Sequence, residues 1–331
     1  MSVVDMERRK NILHTMTHGL PLVVPLPDSL KASVADIPEA RFLRMYALPL
    51  NKMEAGNGKG IPAFKISLEE EKAGRLKPGM PVYVPSSGST VLNVAYQRSA
   101  FGTDEVVAVL ERSVAFSKKM QILLPGASIE YPKEGQNAID RAYELQKKQG
   151  GLVIDQYKHG GSVRGHEWTM DHIRREMKRL RQGVSFFCAG AGTCSTLVAA
   201  YEYLKPHYRN LQVVGVACNP GEKVPGCRTL EEIERDIIFD WKKAIAPFDM
   251  VFCDKKPAFQ KSRDLVMSGH LGGPSSGLAV EGFLQQFRKL YETRKLAQFL
   301  NRNHEYVVVF VFMDSSLVYP EQYSKVLGIK S

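Results

Sequence analysis

The chain has 331 residues, of which 44% are hydrophobic and 24% charged, and its formal net charge is +10. This composition is typical of a soluble globular protein, and because no run reaches the ~18–20 apolar residues of a membrane span, we expect no membrane partner. The lysines and arginines are spread along the sequence, so we expect no nucleic-acid partner, and the positive field favours anionic small molecules.

Apolar runs of strand length alternate with helical patterns along the chain. The first is VVAVL (Val106–Leu110), and YVVVFVFM (Tyr306–Met313) is the last. The predicted strands between them are ASIEYP, LVIDQY, VSFFCAG and LQVVGVAC, and the predicted helices are RSVAFSKKMQILLPG, GQNAIDRAYELQKKQGG, TLVAAYEYLKPHY and AVEGFLQQFRKLYETRKLAQFLNR. This alternation is typical of an α/β protein with mostly parallel sheets.

Three loops of small residues follow predicted strands or precede predicted helices. They are SSGST (Ser86–Thr90), AGAGTCST (Ala189–Thr196) and GGPSSG (Gly272–Gly277). In α/β folds ligands bind where strands lead into helices. The N–H groups of the second loop, with the positive end of the helix that follows, can hold a phosphate. That loop matches neither the nucleoside triphosphate nor the dinucleotide motif, so we expect a small phosphorylated cofactor; an ordinary turn is the alternative.

The cysteines and histidines suggest no metal site. Five cysteines are present, an odd number, and no two form a C-x-x-C pair; they are Cys188, Cys194, Cys218, Cys227 and Cys253. Such usage is typical of a reducing compartment, and we expect a cytoplasmic protein. Neither His166 nor His172 has the spacing of a metal motif. We therefore predict that the protein holds no metal.

The segment GNGKGIPAFKISLEEEKAGRLKPG (Gly56–Gly79) resembles the lysine segment of the cysteine synthase (O-acetylserine sulfhydrylase) and cystathionine β-synthase family. A gap-free count back from its closing turn, GRLKPG, places the cofactor lysine at Lys59, with Lys52 and Lys65 as neighbouring alternatives. The resemblance implies pyridoxal 5′-phosphate (PLP) as cofactor, held by Lys59 as a Schiff base. It also implies a two-lobed tryptophan synthase β-like fold (PLP fold type II) with helices on both faces of the sheets.

Two further segments resemble the parts of this family that bind the substrate carboxylate. SSGST resembles its T/S-S-G-N-T loop, and the end of LVIDQY resembles a step whose glutamine assists that loop. The resemblance implies that Ser89 contacts the cofactor. It implies that the substrate carboxylate is held by Ser86, Ser87, Gly88, Thr90 and Gln156.

The cofactor phosphate and ring are assigned by two other similarities. The family's phosphate loop, G-x-G-T-G-G-T, resembles a stretch whose cofactor-binding residues would be Gly190, Gly192, Thr193, Cys194, Ser195 and Thr196. Near the end of the chain, FMDSS resembles the context of a serine that binds the pyridine nitrogen. This role falls to Ser315, with Ser316 as the alternative. A neutral hydroxyl there would leave the ring nitrogen unprotonated.

The resemblance implies β-replacement on an O-activated serine, O-acetylserine or O-phosphoserine, through an aminoacrylate intermediate. Two alternatives stay open, a lyase of the same fold (cysteine desulfhydrase or serine/threonine dehydratase) and a non-catalytic relative. The family also implies a homodimer. Its larger, phosphate-binding lobe would comprise residues 1–43 and 156–331, and a smaller mobile lobe, residues 44–155, would carry the carboxylate loop.

The chain departs from the family pattern at several positions. Gly60 follows Lys59 where an aspartate or asparagine is usual, and Ser89 replaces the loop asparagine. Cys194 and Ser195 replace two glycines of the phosphate loop. Despite these departures we expect the fold and the cofactor of the family. The departures put its substrate and its reaction in doubt for this chain. His159 and His166 could line the mouth of the active site or be structural.

Overall fold

The computed structural model of the protein describes residues 3–86 and 88–329. Its strands are β1 (Val24–Pro25), β2 (Leu43–Leu48), β3 (Val82–Pro85), β4 (Val106–Val109), β5 (Ser128–Glu130), β6 (Leu152–Val153), β7 (Phe186–Gly190), β8 (Gln212–Cys218), β9 (Val251–Cys253) and β10 (Tyr306–Val311). Its α-helices are α1 (Val3–Thr17), α2 (Gly60–Lys72), α3 (Ser89–Phe101), α4 (Phe116–Leu123), α5 (Ala138–Gln149), α6 (Gly161–Arg179), α7 (Ser195–Ala199), α8 (Leu230–Asp236), α9 (Trp241–Ile245), α10 (Lys255–Met267), α11 (Pro274–Glu292) and α12 (Pro320–Leu327). None of the helices in this part of the chain has both the length and the apolar character needed to cross a bilayer.

The described chain forms two compact units. Unit 1 contains the residues up to Leu20 and Lys59–Trp168, and unit 2 contains Pro21–Gly58 and the residues from Thr169 onward. These bounds differ from those of the expected lobes, 1–43 with 156–331 and 44–155. Strand β2 pairs with β1 and β10, which places it in unit 2. Helix α1 packs against α3 and therefore belongs to unit 1. The mobility of the smaller lobe stays a prediction.

Unit 1 is built on a four-stranded sheet in the order β5-β4-β3-β6, in which every pair is parallel. Side chains of α5 pack with Tyr83, Val107 and Val109 on one face of this sheet. Strands β3, β4 and β6 are short, apolar and buried, as expected where helices cover a parallel sheet, whereas the edge strand β5 is half-buried. Because carboxyl ends of parallel strands meet at one edge, the loop after β3 and the segment after β6 lie side by side.

Unit 2 is built on a six-stranded sheet in the order β1-β2-β10-β7-β8-β9, parallel except for the β1–β2 pair. Consecutive residues of β8 show that helices cover both faces, because side chains alternate across a strand. Gly215 faces Leu197 of α7 and Ile245 of α9, whereas Val216 faces Gly282 of α11. The prediction of mostly parallel sheets with helices on both faces is confirmed. Strands β10 and β7 are neighbours, so the segments that follow them are adjacent.

Candidate functional site

Lys59 lies immediately before α2, half-buried, and α3 contacts the residue that follows it. Gln97 donates a hydrogen bond of 3.0 Å from Nε2 to the carbonyl oxygen of Gly60. Asn93 Oδ1 lies 2.7 Å from the position that a Cβ atom on Gly60 would take. A side chain at position 60 would therefore displace Asn93. The departure of Gly60 from the family pattern is explained by this close approach.

Helix α6 brings a buried histidine close to Lys59. A Cβ atom on Gly165 would lie 3.0 Å from the Cα atom of Pro62 and 3.1 Å from the carbonyl oxygen of Ile61, so α6 packs directly on the first turn of α2. His166 follows Gly165 and is fully buried. Burial, assisted by the charge of Lys59, lowers the pKa of His166 to about 3. The imidazole is neutral at physiological pH and adds no positive charge beside Lys59.

The alternative lysines have other surroundings. Lys65 lies 3.9 Å from Glu69 Oε1, and its ammonium lies 5.2 Å from the ring centroid of Trp168. Lys52 is exposed. Lys59, beside a buried neutral imidazole and at the start of a helix fixed by α3, has the environment of an anchoring lysine. Its assignment as the anchor stays a prediction.

The carboxylate loop and the glutamine predicted to assist it are joined by hydrogen bonds. Thr90 Oγ1 donates to Gln156 Oε1 over 2.8 Å, and Gln156 Nε2 lies 3.5 Å from Ser86 Oγ. Gly88 adopts a φ of 143°, a region that favours glycine. Ser87 lies outside the described residues. The structure thus brings Ser86, Thr90 and Gln156 together, although they are up to 70 residues apart in sequence.

Asn93 is a residue of this site that the sequence analysis missed. It is buried, and its Nδ2 donates a hydrogen bond of 2.7 Å to the backbone carbonyl of Ser89. Ser89 itself is the half-buried first residue of α3. An asparagine four residues after Ser89 lies on the same face of the helix, and this spacing is the signal that could have revealed it. Asn93 thus places a second amide close to both Ser89 and Gly60.

The predicted phosphate loop follows β7 and leads into α7. Thr193 Oγ1 lies 2.7 Å from Ser195 Oγ, and both residues are buried, as is Thr196. Cys194 adopts a left-handed backbone conformation. The N–H groups of the first helical turn have no intrahelical acceptors, and they can bind an anion.

Close backbone approaches explain the two glycines of this loop. A Cβ atom on Gly190 would lie 2.7 Å from Cys227 Sγ, and one on Gly192 would collide with the carbonyl oxygen of Gly226. The Arg228 N–H also donates to the carbonyl of Ala191 over 2.9 Å. The segment that contains Gly226 therefore lies along the loop. This glycine cradle, with its buried hydroxyls, fits a phosphate group.

The serines near the end of the chain have different partners. Ser315 Oγ accepts a hydrogen bond of 3.2 Å from the Leu317 N–H and so caps the short turn that follows. Ser316 Oγ is buried, and no hydrogen-bond partner for it exists among the described residues. This bond leaves the hydroxyl proton of Ser315 available as a donor, and the role of Ser315 at a ring nitrogen stays a prediction.

A serine of the third small-residue loop contacts a carboxylate that follows β10, and the sequence analysis assigned neither side chain. Ser275, at the start of α11, places its Oγ 3.4 Å from Asp314 Oδ1. Asp314 is buried and also accepts a hydrogen bond from the Tyr319 hydroxyl. The loop itself, GGPSSG, was recognised as a possible ligand site. Its contact with Asp314 joins residues 39 positions apart, which local sequence patterns do not reveal.

The described residues contain no group of three or more histidine, cysteine, aspartate or glutamate side chains that could hold a metal ion. The five cysteines are free thiols. The features that fit a cofactor are a lysine at a helix start and a glycine cradle with buried hydroxyls. These are the parts needed to hold an aldehyde group and a phosphate group.

Comparison with known proteins identifies the family. Residues 59–298 match the family described as pyridoxal-phosphate dependent enzyme. The chain belongs to this family. It is therefore an enzyme, and its cofactor is PLP. The matched segment begins at Lys59 and includes the carboxylate loop, the phosphate loop and Ser275, whereas Asp314 and Ser315 lie beyond its end.

Individual relatives agree with this family. Cysteine synthase B from Pseudomonas aeruginosa is 25% identical over 257 residues, which cover 76% of this chain and 84% of that protein. The crystal structure of O-ureido-L-serine synthase superposes with a TM-score of 0.76 at 19% identity, covering 97% of this chain and 96% of the other. A mutant hydrogen sulfide-producing enzyme, in complex with an α-aminoacrylate intermediate, superposes with a TM-score of 0.76 at 19% sequence identity. The match covers 98% of this chain and 93% of the other. The prediction of PLP fold type II is confirmed.

Proposed function

We propose that this PLP-dependent enzyme catalyses β-replacement on an O-activated serine, O-acetylserine or O-phosphoserine. The observation that carries the proposal is the connection between Lys59 and the carboxylate loop within unit 1. Helix α3 begins in that loop, and its Asn93 and Gln97 contact Gly60, next to Lys59. The group that would hold the substrate carboxylate and the group that would take the α-proton are thus fixed by one helix.

The residues would divide the work as follows. When bound, PLP supplies an electron sink for the negative charge that develops at the substrate Cα. Lys59 would hold the cofactor covalently and, once displaced by the substrate amine, accept the α-proton at Nζ. Thr90 and Gln156, with the loop Ser86–Gly88, would orient the substrate through its carboxylate. Because the carboxylate is bonded to Cα, its position fixes the proton that Lys59 must reach.

The phosphate of the cofactor would be held by the loop that follows β7. The residues we assign to this are Gly190, Gly192, Thr193, Cys194, Ser195 and Thr196. Their first-turn N–H groups and hydroxyls are hydrogen-bond donors for an anion. Ser89 would contact the cofactor from α3, and the neighbouring Asn93 amide could take part of the role of the family's loop asparagine.

The similarity to cysteine synthase supports replacement as the reaction, and the net charge of +10 favours an anionic substrate such as O-phosphoserine. A lyase is the second candidate, a cysteine desulfhydrase or a serine/threonine dehydratase. The structural likeness to a hydrogen sulfide-producing enzyme supports it. Both candidates require Lys59 and the carboxylate loop, and they differ in whether a nucleophile or water completes the reaction.

Product analysis of the PLP-loaded protein tests the proposal. O-acetylserine or O-phosphoserine is supplied with and without sulfide, and cysteine, pyruvate and ammonia are measured. We expect cysteine in proportion to the acetate or phosphate released when sulfide is present. Pyruvate and ammonia at the same rate without sulfide would identify a lyase. Loaded protein that forms none of these products would overturn both candidates.

We propose further that the protein is a cytoplasmic homodimer, as the family resemblance implies. The five free thiols suit a reducing compartment. Light scattering of the purified protein should give twice the mass of the chain. A mass equal to that of one chain across the working concentration range would contradict the dimer.

A further inference from the structure

The turn that follows Gln156 is joined to helix α2 by a histidine. His159 Nε2 lies 2.7 Å from Glu70 Oε1, and His159 Nδ1 accepts a hydrogen bond of 2.9 Å from the N–H of Gly161. Glu70 belongs to α2, the helix that begins directly after Lys59, and Gly161 is the first residue of α6. One imidazole ring thus connects α2, the turn and α6, all within unit 1.

These two contacts determine the state of the imidazole ring. Because Nδ1 accepts from a backbone N–H, it carries no proton, and the proton of the neutral ring is on Nε2. Nε2 therefore donates to Glu70. Hydrogen bonds from Arg75, and to a smaller extent from His159, hold the pKa of Glu70 below its ordinary value, so Glu70 accepts as a carboxylate. With both ring nitrogens occupied, His159 has none left to bind a substrate.

Backbone hydrogen bonds within the turn link His159 to Gln156. The His159 N–H donates to the carbonyl of Asp155 over 3.0 Å, and the Ser162 N–H donates to the carbonyl of His159 over 2.9 Å. The Ser162 hydroxyl also donates to the carbonyl of Gln156 over 2.7 Å. A displacement of His159 would therefore be passed on to Gln156, whose side chain is bonded to Thr90 of the carboxylate loop.

The bond between His159 and Glu70 is better shielded from water than the ion pair beside it. Arg164 donates to Glu69 over 2.8 and 2.6 Å, but the Arg164 side chain is 50% exposed. The side chain of Glu70 is only 6% exposed. Exposed ion pairs are screened and contribute little, whereas a buried carboxylate depends on its donors. We therefore expect the His159 bond to fix the turn.

We propose that His159 is a positioning residue for the substrate carboxylate: through its bond to Glu70, it holds Gln156 in place relative to the helix that begins at Lys59. The inference rests on the proposed function, because it requires that Gln156 binds the carboxylate. Loss of the bond should weaken binding of the amino acid, whose orientation depends on Gln156. Binding of PLP should not change, since its phosphate is assigned to the loop that follows β7.

Titration of the PLP-loaded protein with L-alanine tests the inference. Alanine has the carboxylate and the amine of the substrate but no β-leaving group, so the visible spectrum reports binding without turnover. In H159N the side-chain oxygen takes the place of Nδ1 and can accept from Gly161, but the amide is too short to reach Glu70. We expect H159N to raise the Kd of alanine roughly fivefold or more and to retain wild-type affinity for PLP.

H159Q is the matched rescue variant. Its longer side chain can place an N–H₂ group where Nε2 lies and donate to Glu70, so its Kd should stay within about twofold of the wild-type value. The KM of O-acetylserine should follow the Kd of alanine across these variants, with a smaller change in kcat. A merely structural role would not separate the two substitutions in this way.

E70M tests the same bond from the other side and leaves His159 unchanged. It removes the acceptor, and the side chain of Arg75, which is 61% exposed, can be solvated instead. E70M should weaken alanine binding as H159N does, and the double variant should bind no more weakly than either single variant. R75Q keeps the bond between His159 and Glu70 and should retain the wild-type Kd.

The possible outcomes separate the inference from the proposed function. A wild-type Kd in H159N or in E70M, or an H159Q protein that binds as weakly as H159N, would overturn the inference while the proposed function stands. If H159N does not fold, E70M decides in the same way. A loaded wild-type protein whose spectrum responds to none of alanine, O-acetylserine and O-phosphoserine would overturn both.

Discussion

The Thr90 hydroxyl donates a hydrogen bond of 2.8 Å to the side-chain carbonyl of Gln156. Both residues are buried, and they follow different strands of the unit 1 sheet. Because the carbonyl of this amide is occupied, its N–H₂ group is directed toward Ser86. The Ser162 hydroxyl also holds the backbone carbonyl of Gln156 at 2.7 Å. The glutamine is thereby fixed as a donor at the carboxylate loop.

Replacement of Thr90 by valine should weaken substrate binding. T90V keeps the shape of the side chain but leaves the buried carbonyl of Gln156 without its donor, at a cost of about 1–2 kcal/mol. We expect KM for the amino-acid substrate to rise roughly tenfold, with a smaller change in kcat. T103V is the matched control, because Thr103 lies just beyond the other end of α3 and bonds only locally to Arg98. Equal kinetic effects from the two variants would refute the assignment.

Replacement of Gly192 by alanine should impair cofactor binding. The new methyl group would collide with the carbonyl oxygen of Gly226, and the loop would have to move away from it. We expect G192A to bind PLP at least about tenfold more weakly, roughly 1.4 kcal/mol, in titrations of the apoprotein. G183A is the matched control, because its methyl group would lie 3.3 Å from Asn301 Cβ, in the same unit but outside the phosphate loop. G183A should retain wild-type affinity, and a similar loss in both would contradict the cradle.

Lys118 should contribute to the attraction of anionic substrates. Its Cδ atom lies 3.3 Å from the position of a Cβ atom on Gly88, and the ammonium is two bonds further along the side chain. K118Q should raise KM for O-phosphoserine roughly two- to fivefold at low salt, with a smaller effect on O-acetylserine. Lys119 donates to the Arg112 carbonyl instead, so K119Q serves as the control. An unchanged KM in K118Q at low salt would exclude this role.

Burial of His166 should make the stability of the protein depend on pH. Its folded-state pKa is lowered to about 3, whereas the unfolded value is near 6.5. Between these values the unfolded chain binds a proton that the folded chain does not, so the contribution of His166 to stability is lost as pH falls. Below pH 6.5 the free energy of unfolding should decrease more steeply in the wild type than in H166Q, by up to about 1.4 kcal/mol per pH unit.

Urea titrations from pH 7 to pH 4 measure this difference. Groups other than His166 titrate in both proteins, and their contributions cancel in the difference between the two slopes. H207Q, a change at an exposed histidine, should retain the wild-type slope. Parallel pH profiles for the wild type and H166Q would show that His166 is not buried in neutral form.

The alternation of strands and helices was predictable from sequence, but several ends were not. A strand was expected over LVIDQY, but β6 covers only Leu152–Val153. It ends there because the Asp155 carboxylate accepts a hydrogen bond of 2.8 Å from the Tyr157 N–H, which starts a turn. The helix expected to reach Arg302 ends at Glu292, and Arg294 adopts a left-handed backbone. Both ends depend on local hydrogen bonds and backbone angles that apolar patterns do not specify.

The candidate site was predictable where a single segment carries it. The spacing of small residues indicated the loops that contain Ser86 and Gly190, since glycines and hydroxyls are required locally. Ser275 and Asp314 were missed because their contact joins separate segments, whereas Asn93 was missed although its spacing from Ser89 is local. Ser275 and Asp314 are brought together only by the packing of α11 beside the end of β10. Such long-range pairs require the three-dimensional structure.

The central claim is that Lys59 anchors PLP, and borohydride reduction tests it most directly. The visible spectrum of the purified, PLP-loaded protein is recorded, the protein is reduced, and the labelled peptide is identified by mass spectrometry. We expect a violet-region band that disappears on reduction and a pyridoxyl group on Lys59. K59A should show neither, whereas K65A should retain both. A pyridoxyl group on another lysine, or a protein that takes up no PLP, would contradict the account.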